Sequence, residues 1–206
     1  MTKNTPAGTG LASPGPSAPR RVRADAQRNI VSLLEAAKAV FATSGVDAPA
    51  KDIADLAGLG VGTLYRHFPQ RSDLVKAVLE REIEACAAAG PTLAAANEPG
   101  AALEKWLRRL TEFVATKRGF AAALHSGDPA FDALPGYFME RLGPALAALL
   151  EAAIANGEIR AGISARDLLY AVANLCMPVA DQGADYSQRM VALLVDGLRY
   201  RADANG

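Results

Sequence analysis

Residues 51–68 constrain the fold of this chain most, because they predict two short helices joined by a tight turn. Ile53 and Ala54 share one face of the first helix, and the small Ala54 lets another helix cross closely over it. Gly58 lies where the chain must reverse, a position that favours positive φ. Leu64 then reaches from the second helix into the same core. This pattern predicts a helix-turn-helix, whose second helix enters the major groove of DNA; an ordinary αα-hairpin is the alternative.

Composition and charge favour an all-α fold with two unlike ends. The 206 residues are half apolar and rich in Ala, with few aromatics and no sustained β-branched alternation, which is typical of helices packed on helices. The formal net charge is zero, yet residues 1–81 carry +4 and residues 82–206 carry −4. A basic N-terminal part joined to an acidic C-terminal part suits a protein that presents one end to the phosphates of a nucleic acid.

Several classes of function are disfavoured by what the sequence lacks. Cys86 and Cys176 are far apart and in no paired motif, so we expect free thiols in a reducing compartment and no metal site or cofactor. The acid–base or nucleophilic candidates are His125, Asp128 and Cys176, which lie in unrelated segments without an enzymatic motif, so we expect no enzyme. No apolar stretch approaches a membrane span, and the first residues lack the apolar region of a signal peptide. These features predict a cytoplasmic protein without a membrane partner.

Capping and breaking residues predict about nine helices. The first is expected to start after the N-cap Asp25 and to end at Ser44, before Gly45. The Gly90–Pro91 pair is expected to end the fourth helix, and Pro178 is expected to lie within the eighth. The other predicted helices span approximately residues 50–57, 61–67, 71–89, 103–114, 120–124, 137–156, 164–180 and 187–201.

Three domains are predicted from these elements. Residues 1–22 are a disordered tail, residues 23–71 form a three-helix DNA-binding domain, and residues 72–206 form a larger helical domain for effector binding and dimerisation. Residues 190–195 are apolar nearly all round, more than one neighbouring helix would cover. We therefore expect a homodimer through the last two helices.

The residues from Ile30 to Leu79 carry a resemblance to a known family. Leu33-Leu-Glu-Ala-Ala37, Phe41, Asp52-Ile-Ala54, Ala57-Gly58 and Gly62-Thr-Leu-Tyr-Arg-His-Phe-Pro69 resemble the DNA-binding domain of TetR-family transcriptional repressors. The resemblance implies a homodimer, an all-helical C-terminal half that binds a small effector, and release of a palindromic DNA operator on binding it. A helical dimeric adaptor or sensor that has lost DNA binding is the alternative.

The resemblance and the residue chemistry together select the candidate DNA contacts. By position in the family, Tyr65 and His67 would meet phosphates, whereas Thr63, Arg66 and the start of the third helix would approach base edges. Gly60 and Gly62 remove side-chain bulk where backbone N–H groups face an anion. Lys51 and Arg71 begin helices, where a cation is unfavourable unless an anion is near; solvated surface residues are the alternative. The full set is Arg20, Arg21, Arg23, Lys51, Gly60, Val61, Gly62, Thr63, Tyr65, Arg66, His67 and Arg71.

Two groups of this set, the start of the third helix and the N-terminal arginines, have interpretations of their own. The family usually has a Ser N-cap and a Lys where this chain has Gly60 and Val61, which should remove about one phosphate or base contact. Val61 is hypothesised to touch a thymine methyl instead. The arginines at positions 20, 21 and 23 are predicted either to form an arm in the minor groove or to belong to a solvated linker.

The second half resembles the C-terminal domain of the SbtR-like subgroup, at Thr116-Lys-Arg-Gly-Phe120, Ala155-Asn-Gly-Glu-Ile-Arg160 and Asp167-Leu-Leu169. The resemblance implies a small-molecule effector whose identity it does not give. An apolar pocket with a few polar groups is predicted, each residue being either pocket wall or ordinary core. Pro178 should leave the Asn174 carbonyl free, producing either a kink that aims an acceptor inward or one that fits the dimer interface. The candidate lining is Trp106, Phe113, Phe120, His125, Tyr137, Phe138, Tyr170, Asn174, Cys176 and Met177.

Overall fold

The computed structural model describes residues 18–116, 120–177 and 185–199. Within these ranges the fold is all-α, as predicted. None of the described helices is both long and apolar enough to cross a membrane. The helices are α1 (Ala18–Ser44), α2 (Ala50–Leu56), α3 (Val61–His67), α4 (Arg71–Ala96), α5 (Pro99–Thr116), α6 (Ala121–Leu124), α7 (Leu134–Ala155), α8 (Ala165–Leu175) and α9 (Tyr186–Arg199), with a 3₁₀ turn at Pro129–Phe131.

The helix-turn-helix is confirmed, and α3 spans the predicted residues. Gly45 and Gly58 have φ values of 74° and 68°, a region that an L side chain rarely adopts, so each ends a helix where glycine is needed. In the turn, the Leu59 N–H donates to the Ala54 carbonyl at 2.9 Å. These contacts fix the angle at which α3 leaves α2.

The first helix begins earlier than predicted. It starts at Ala18, so Asp25 lies inside α1 and is not its N-cap. The segment from 18 to 28 is rich in Ala and Arg, which are good helix formers, and Asp25 pairs with Arg28 one turn later. The predicted tail of residues 1–22 is therefore wrong at its C-terminal end, while residues 1–17 lie outside the described part of the chain.

The fourth helix continues through the predicted break to Ala96. Pro91 removes one backbone donor, but the Ala-rich flanks are strong helix formers and the helix is held against its neighbours. Gly90 is packed closely: a Cβ there would lie 3.3 Å from the Ala145 Cβ of α7 and 3.7 Å from Trp106 Nε1 of α5. Tertiary packing thus overrides the local breaking signal.

Two hydrophobic cores organise the molecule, and α4 contributes to both. The N-terminal core contains buried residues of α1–α3, the first part of α4, and Phe120, Phe131 and Leu134. The C-terminal core is built around Trp106, with buried residues from Ile83 of α4 to Leu198 of α9. Residues on both sides of the predicted boundary between residues 71 and 72 contribute to the N-terminal core.

The eighth helix ends before Pro178, at Leu175. Its start is as expected, since the Ser164 side chain accepts a hydrogen bond from the Asp167 N–H at 3.3 Å. The Asn174 carbonyl is not free, because it accepts the Met177 N–H at 3.0 Å. The residue before a proline and those preceding it tend to leave the helix, which explains the early end; Pro178 itself lies outside the described residues.

Candidate DNA-binding surface and ligand cavity

The third helix buries one side chain, that of Leu64, and exposes two large polar ones, those of Tyr65 and Arg66. Leu64 is 2% exposed and belongs to the N-terminal core. Tyr65 is 52% exposed, and Arg66 is exposed beside it. A tyrosine that open contributes little to the core, so its phenol and the Arg66 guanidinium are available to an external partner.

The N-terminal end of α3 lacks a side-chain cap and carries two glycines. Gly60 is the N-cap in extended backbone conformation, with φ −77° and ψ 145°, and it provides no side-chain cap. A Cβ at Gly60 or Gly62 would meet no described atom within 4 Å, so the protein's own packing does not require glycine at either position. The absent side chains leave room for an approaching partner.

Three candidate residues of α3 are half-buried. Val61 packs partly against the N-terminal core, and Thr63 and His67 are also half-buried. The His67 ring lies 6.4 Å from the Phe68 ring, measured between centroids. Each of these side chains therefore serves the fold with one part of its surface and remains accessible with the rest.

Lys51 is an exposed residue at the start of α2, as predicted, but it is already paired. Its Nζ lies 2.5 Å from Asp55 Oδ2 one turn later. The hydrogen bond to Asp55 raises the pKa of Lys51. A phosphate would have to compete with this carboxylate, and an exposed pair of this kind costs little to break.

Arg71 differs from the prediction, because its guanidinium is committed to the protein. Nη2 donates to the Ala48 carbonyl at 2.6 Å, and the guanidinium carbon lies 5.9 Å from the centroid of the Phe41 ring. Nη1 is buried and has no hydrogen-bond partner among the described residues. A phosphate contact would require these interactions to be given up, so Arg71 is a structural tie between α4 and the α1–α2 loop.

The predicted arginine arm is partly helical. Residues 20, 21 and 23 lie in the first two turns of α1, and Arg23 is exposed. The backbone at these positions is therefore helical, and contact of the three arginines with DNA stays a prediction. The side chains of Arg20 and Arg21 are outside what the structure describes.

A cavity of about 380 Å³ lies between helices α4 and α8, and we call it the α4–α8 cavity. Four of the ten predicted ligand residues line it, namely His125, Phe138, Tyr170 and Met177. The inner wall is buried, whereas Tyr170 and Met177, 45% and 58% exposed, lie at its mouth. The full lining is Leu79, Ile83, Val114, Leu124, His125, Phe131, Leu134, Pro135, Phe138, Met139, Tyr170, Ala173 and Met177.

The other six predicted ligand residues lie elsewhere. Trp106 is fully buried and its Nε1 donates to the Cys86 carbonyl at 2.9 Å. Phe113 and Cys176 are buried in the C-terminal core, and Asn174 is exposed with its amide donating to the Tyr170 carbonyl at 2.9 Å. The remaining two, Phe120 and Tyr137, have structural partners that the sequence did not indicate.

Phe120 belongs to the N-terminal core. Its ring meets the Phe41 ring edge-on, with centroids 5.5 Å apart and planes at 86°. Phe120 follows α5 in the chain and yet packs against α1, which no local pattern could show. It is therefore a tie between the two halves of the chain.

Tyr137 forms a hydrogen-bonded cluster with Glu84 and Arg141. The Tyr137 hydroxyl donates to Glu84 Oε1 at 2.5 Å, and Arg141 Nη2 donates to Glu84 Oε2 at 2.6 Å. The hydrogen bonds from Arg141 and then Tyr137 lower the pKa of Glu84 to about 2. The same bond to Glu84, with burial, raises the pKa of Tyr137 to about 12. This cluster joins α4 to α7 outside the cavity.

The sequence missed nine of the cavity's residues, and most of them are aliphatic. Leu79 and Ile83 lie on the buried stripe of α4, and Leu134 lies at the start of α7. Aromatic and polar side chains were sought because they give orientation to a ligand. Aliphatic walls look like ordinary core in a sequence, so only the three-dimensional arrangement reveals them.

Two further clefts carry charge. One, of about 430 Å³, lies beside the start of α4 and is lined by Arg71, Asp47 and Asp128 among others. The other, of about 580 Å³, lies between α4 and α7 and includes Glu84, Glu140 and Arg141. Within the described ranges, no group of three metal-ligating side chains is present.

Sequence comparison divides the chain as the fold does. Residues 33–78 match the family described as bacterial regulatory proteins, tetR family, and residues 98–200 match the transcriptional regulator SbtR-like, C-terminal domain. A helix-turn-helix-type transcriptional regulator of Staphylococcus aureus is 39% identical over 64 residues, which are 31% of this chain and 35% of that protein. The chain thus spans about a third of the length of the curated relatives it matches.

Solved structures match over most of the chain. A TetR transcriptional regulator of Streptomyces coelicolor is 36% identical, with a TM-score of 0.70, covering 84% of this chain and 99% of that one. A TetR transcription regulatory protein of Mycobacterium vanbaalenii is 34% identical, with a TM-score of 0.67, covering 87% and 99% of the two chains. The similarity therefore includes both the helix-turn-helix and the helical C-terminal half.

Proposed function

Because this chain belongs to the TetR family of transcriptional regulators, we propose that it is a cytoplasmic repressor that binds a palindromic operator as a homodimer and is released by a small ligand. The observation that carries the proposal is the surface of α3, where an exposed tyrosine and arginine follow a start free of side-chain bulk. Such a surface has no evident use in the chain's own packing and suits the phosphates and base edges of duplex DNA.

The proposed contacts divide by chemistry. Tyr65 and His67 donate hydrogen bonds to phosphates and set the register, while Arg66 and Thr63 approach base edges. Gly60 and Gly62 let the backbone come close to the DNA, and Val61 contacts a thymine methyl with the part of its surface left free by the core. Lys51 and the helical Arg23, with Arg20 and Arg21 on the same segment, add phosphate contacts.

We propose dimerisation through α8 and α9. The buried residues of α9, among them Val191 and Val195, face the chain's own core. Leu193, on the same helix, is 65% exposed, and the neighbouring Ala192 is also exposed. A second copy would cover these groups and hold two α3 helices one DNA turn apart, about 34–36 Å.

Ligand release follows from the place of the α4–α8 cavity. Leu79 and Phe131 of its wall belong to the N-terminal core, and Ile83 and Phe138 belong to the C-terminal core. A ligand that binds one arrangement of the two cores better than the other shifts the equilibrium toward it. The change in DNA affinity is limited by the ligand's difference in affinity for the two arrangements.

DNA binding is tested by fluorescence polarisation with the DNA upstream of the chain's own gene. Tyr65→Phe removes one phosphate donor from each protomer, so operator affinity should fall by at least about tenfold. Tyr137→Phe, which removes a phenol bonded to Glu84, is the matched control and should bind as the unchanged protein does. Absence of binding at every salt concentration would contradict the repressor and favour the adaptor.

A further inference from the structure

We propose that the ligand taken by the α4–α8 cavity is an uncharged, largely apolar molecule with one or two aromatic rings. This inference rests on the function proposed above, since it names the class of molecule that the same cavity binds. It is carried by the side chains that surround the cavity, by its volume, and by the contrast with the two charged clefts.

The described lining residues supply no carboxylate, ammonium or guanidinium to a charged ligand. None of the thirteen described lining residues is an aspartate, glutamate, lysine or arginine. The polar side chains are the His125 imidazole and the Tyr170 hydroxyl, both at exposed positions near the mouth. An ammonium or carboxylate drawn into the inner part would lose its hydration without gaining an opposite charge from the described walls, which is unfavourable.

Two other clefts formed by described residues do carry ionised side chains. The cleft beside the start of α4 has Arg71, Asp47 and Asp128 in its walls, and the groove between α4 and α7 has Glu84 and Arg141. The described part of the chain therefore contains clefts of similar size with and without ionised side chains. A ligand's charge should decide which of them it can enter.

Volume and wall chemistry favour aromatic rings. An apolar cavity of about 150 Å³ holds benzene, so about 380 Å³ accommodates two fused rings with small substituents. Phe138 presents a ring that is stacked on Phe113 with centroids 6.1 Å apart, which fixes its orientation. Met139 and Met177 add thioethers that adapt to different ring shapes and contact aromatic edges favourably.

The experiment compares three probes with the same ring system, 2-naphthol, 2-naphthoate and 2-naphthylmethylammonium, on the full chain at neutral pH. Titration calorimetry and thermal shift should show 2-naphthol binding, with both ions weaker by at least about tenfold. Equal or tighter binding of either ion would overturn the inference. Failure of 2-naphthol to bind would also overturn it, whether or not the protein binds DNA.

Two variants locate the bound probe. Ala173→Phe places a ring in the cavity and should abolish 2-naphthol binding, whereas Ala148→Phe, in the α4–α7 groove, should leave it intact. Met177→Lys places an ammonium at an exposed position of the mouth, and should improve 2-naphthoate binding by about three- to fivefold. Loss of 2-naphthol binding in Ala148→Phe alone would overturn the assignment to the α4–α8 cavity.

Operator release separates this inference from the proposed function. Polarisation with labelled operator is measured with and without 2-naphthol. Binding of 2-naphthol with release of DNA supports both the proposed ligand class and the proposed release of DNA by ligand. Binding that depends on Ala173 but leaves DNA affinity unchanged supports the ligand class and contradicts ligand release, so the two proposals fail separately.

Discussion

The two hydrophobic cores differ in where their residues come from. Among the described residues, the C-terminal core is drawn entirely from α4 onward, whereas the N-terminal core takes Phe120, Phe131 and Leu134 from the other half of the chain. The DNA-binding part is therefore incomplete without the segment from 120 to 134. That segment also lines the α4–α8 cavity, so a ligand there contacts residues on which the helix-turn-helix depends.

Among substitutions that test this difference between the two cores, Phe120→Ala should have the largest effect on stability. It removes the edge-on contact with Phe41 and a fully buried ring, so the free energy of unfolding should fall by about 3–5 kcal/mol. Hydrogen exchange should speed up in α1–α3, although residue 120 lies far along the chain. Denaturant unfolding and exchange mass spectrometry measure the two quantities.

Phe113→Ala is the matched control for that change. It removes a buried ring of the same type from the C-terminal core, where Phe113 stacks on Phe138. Its cost in unfolding free energy should be similar, but the faster exchange should appear first in α5 and α7. If both variants perturb the same helices, the two cores are not distinct units.

An intermediate effect is expected from the pair Arg71→Met and Arg66→Ala. Arg71→Met leaves the Ala48 carbonyl without its donor, and should lower the unfolding free energy by about 1–3 kcal/mol. Arg66→Ala changes an exposed residue and should alter stability by less than about 0.5 kcal/mol, while weakening operator binding by about 1–3 kcal/mol. The reverse pattern would make Arg71 the DNA contact and Arg66 the structural residue.

Local signals predicted the helix-turn-helix well. Helix α3 has the predicted bounds, and Gly45 and Gly58 have the positive φ expected of helix-ending residues. Each of these features depends on residues close together in the chain, such as Gly58 in the turn and Leu64 in the helix that follows it. Short-range chemistry was therefore sufficient for this part of the fold.

Several of the errors concern features that depend on distant residues. The continuation of α4 past Pro91 depends on close packing with α5 and α7, and the place of Phe120 depends on α1. Arg71 was expected to be free because its partners, Ala48 and Phe41, are separated from it in sequence. The cavity was found only in part for the same reason, since its aliphatic walls are assembled from five helices and a turn.

The smallest effect is expected at the Glu84 cluster, which joins α4 to α7 beside the C-terminal core. The pKa of Glu84 is about 2, below its ordinary value of 4.5, so its stabilising contribution is complete above pH 4.5 and is lost as the pH falls toward 2. Glu84→Gln should remove that acid dependence. The expected change in unfolding free energy is less than about 1 kcal/mol, because the Glu84–Arg141 pair is partly exposed. Urea unfolding at pH 7, 5 and 3.5 measures the unfolding free energy of the variant and of the unchanged protein.

Tyr137→Phe provides the comparison for this prediction. It keeps the Glu84–Arg141 pair, so most of the acid dependence should remain. The pKa of Tyr137 is raised to about 12, so its contribution is present below pH 10 and is lost as the pH rises toward 12. Tyr137→Phe should therefore reduce the loss of unfolding free energy between pH 10 and 12. A change in hydrogen exchange within α1–α3 would contradict the assignment of this cluster to the C-terminal core.

Leu64 is the one fully buried side chain of helix α3, whereas Tyr65 and Arg66 are exposed. Exposed positions of this kind can vary with little penalty to folding. A lineage of such proteins is free to acquire new target sequences by exchanging a few outward residues, while the inherited scaffold stays as it was. Duplicated copies of the gene can in this way diverge in the promoters they recognise before they diverge in architecture.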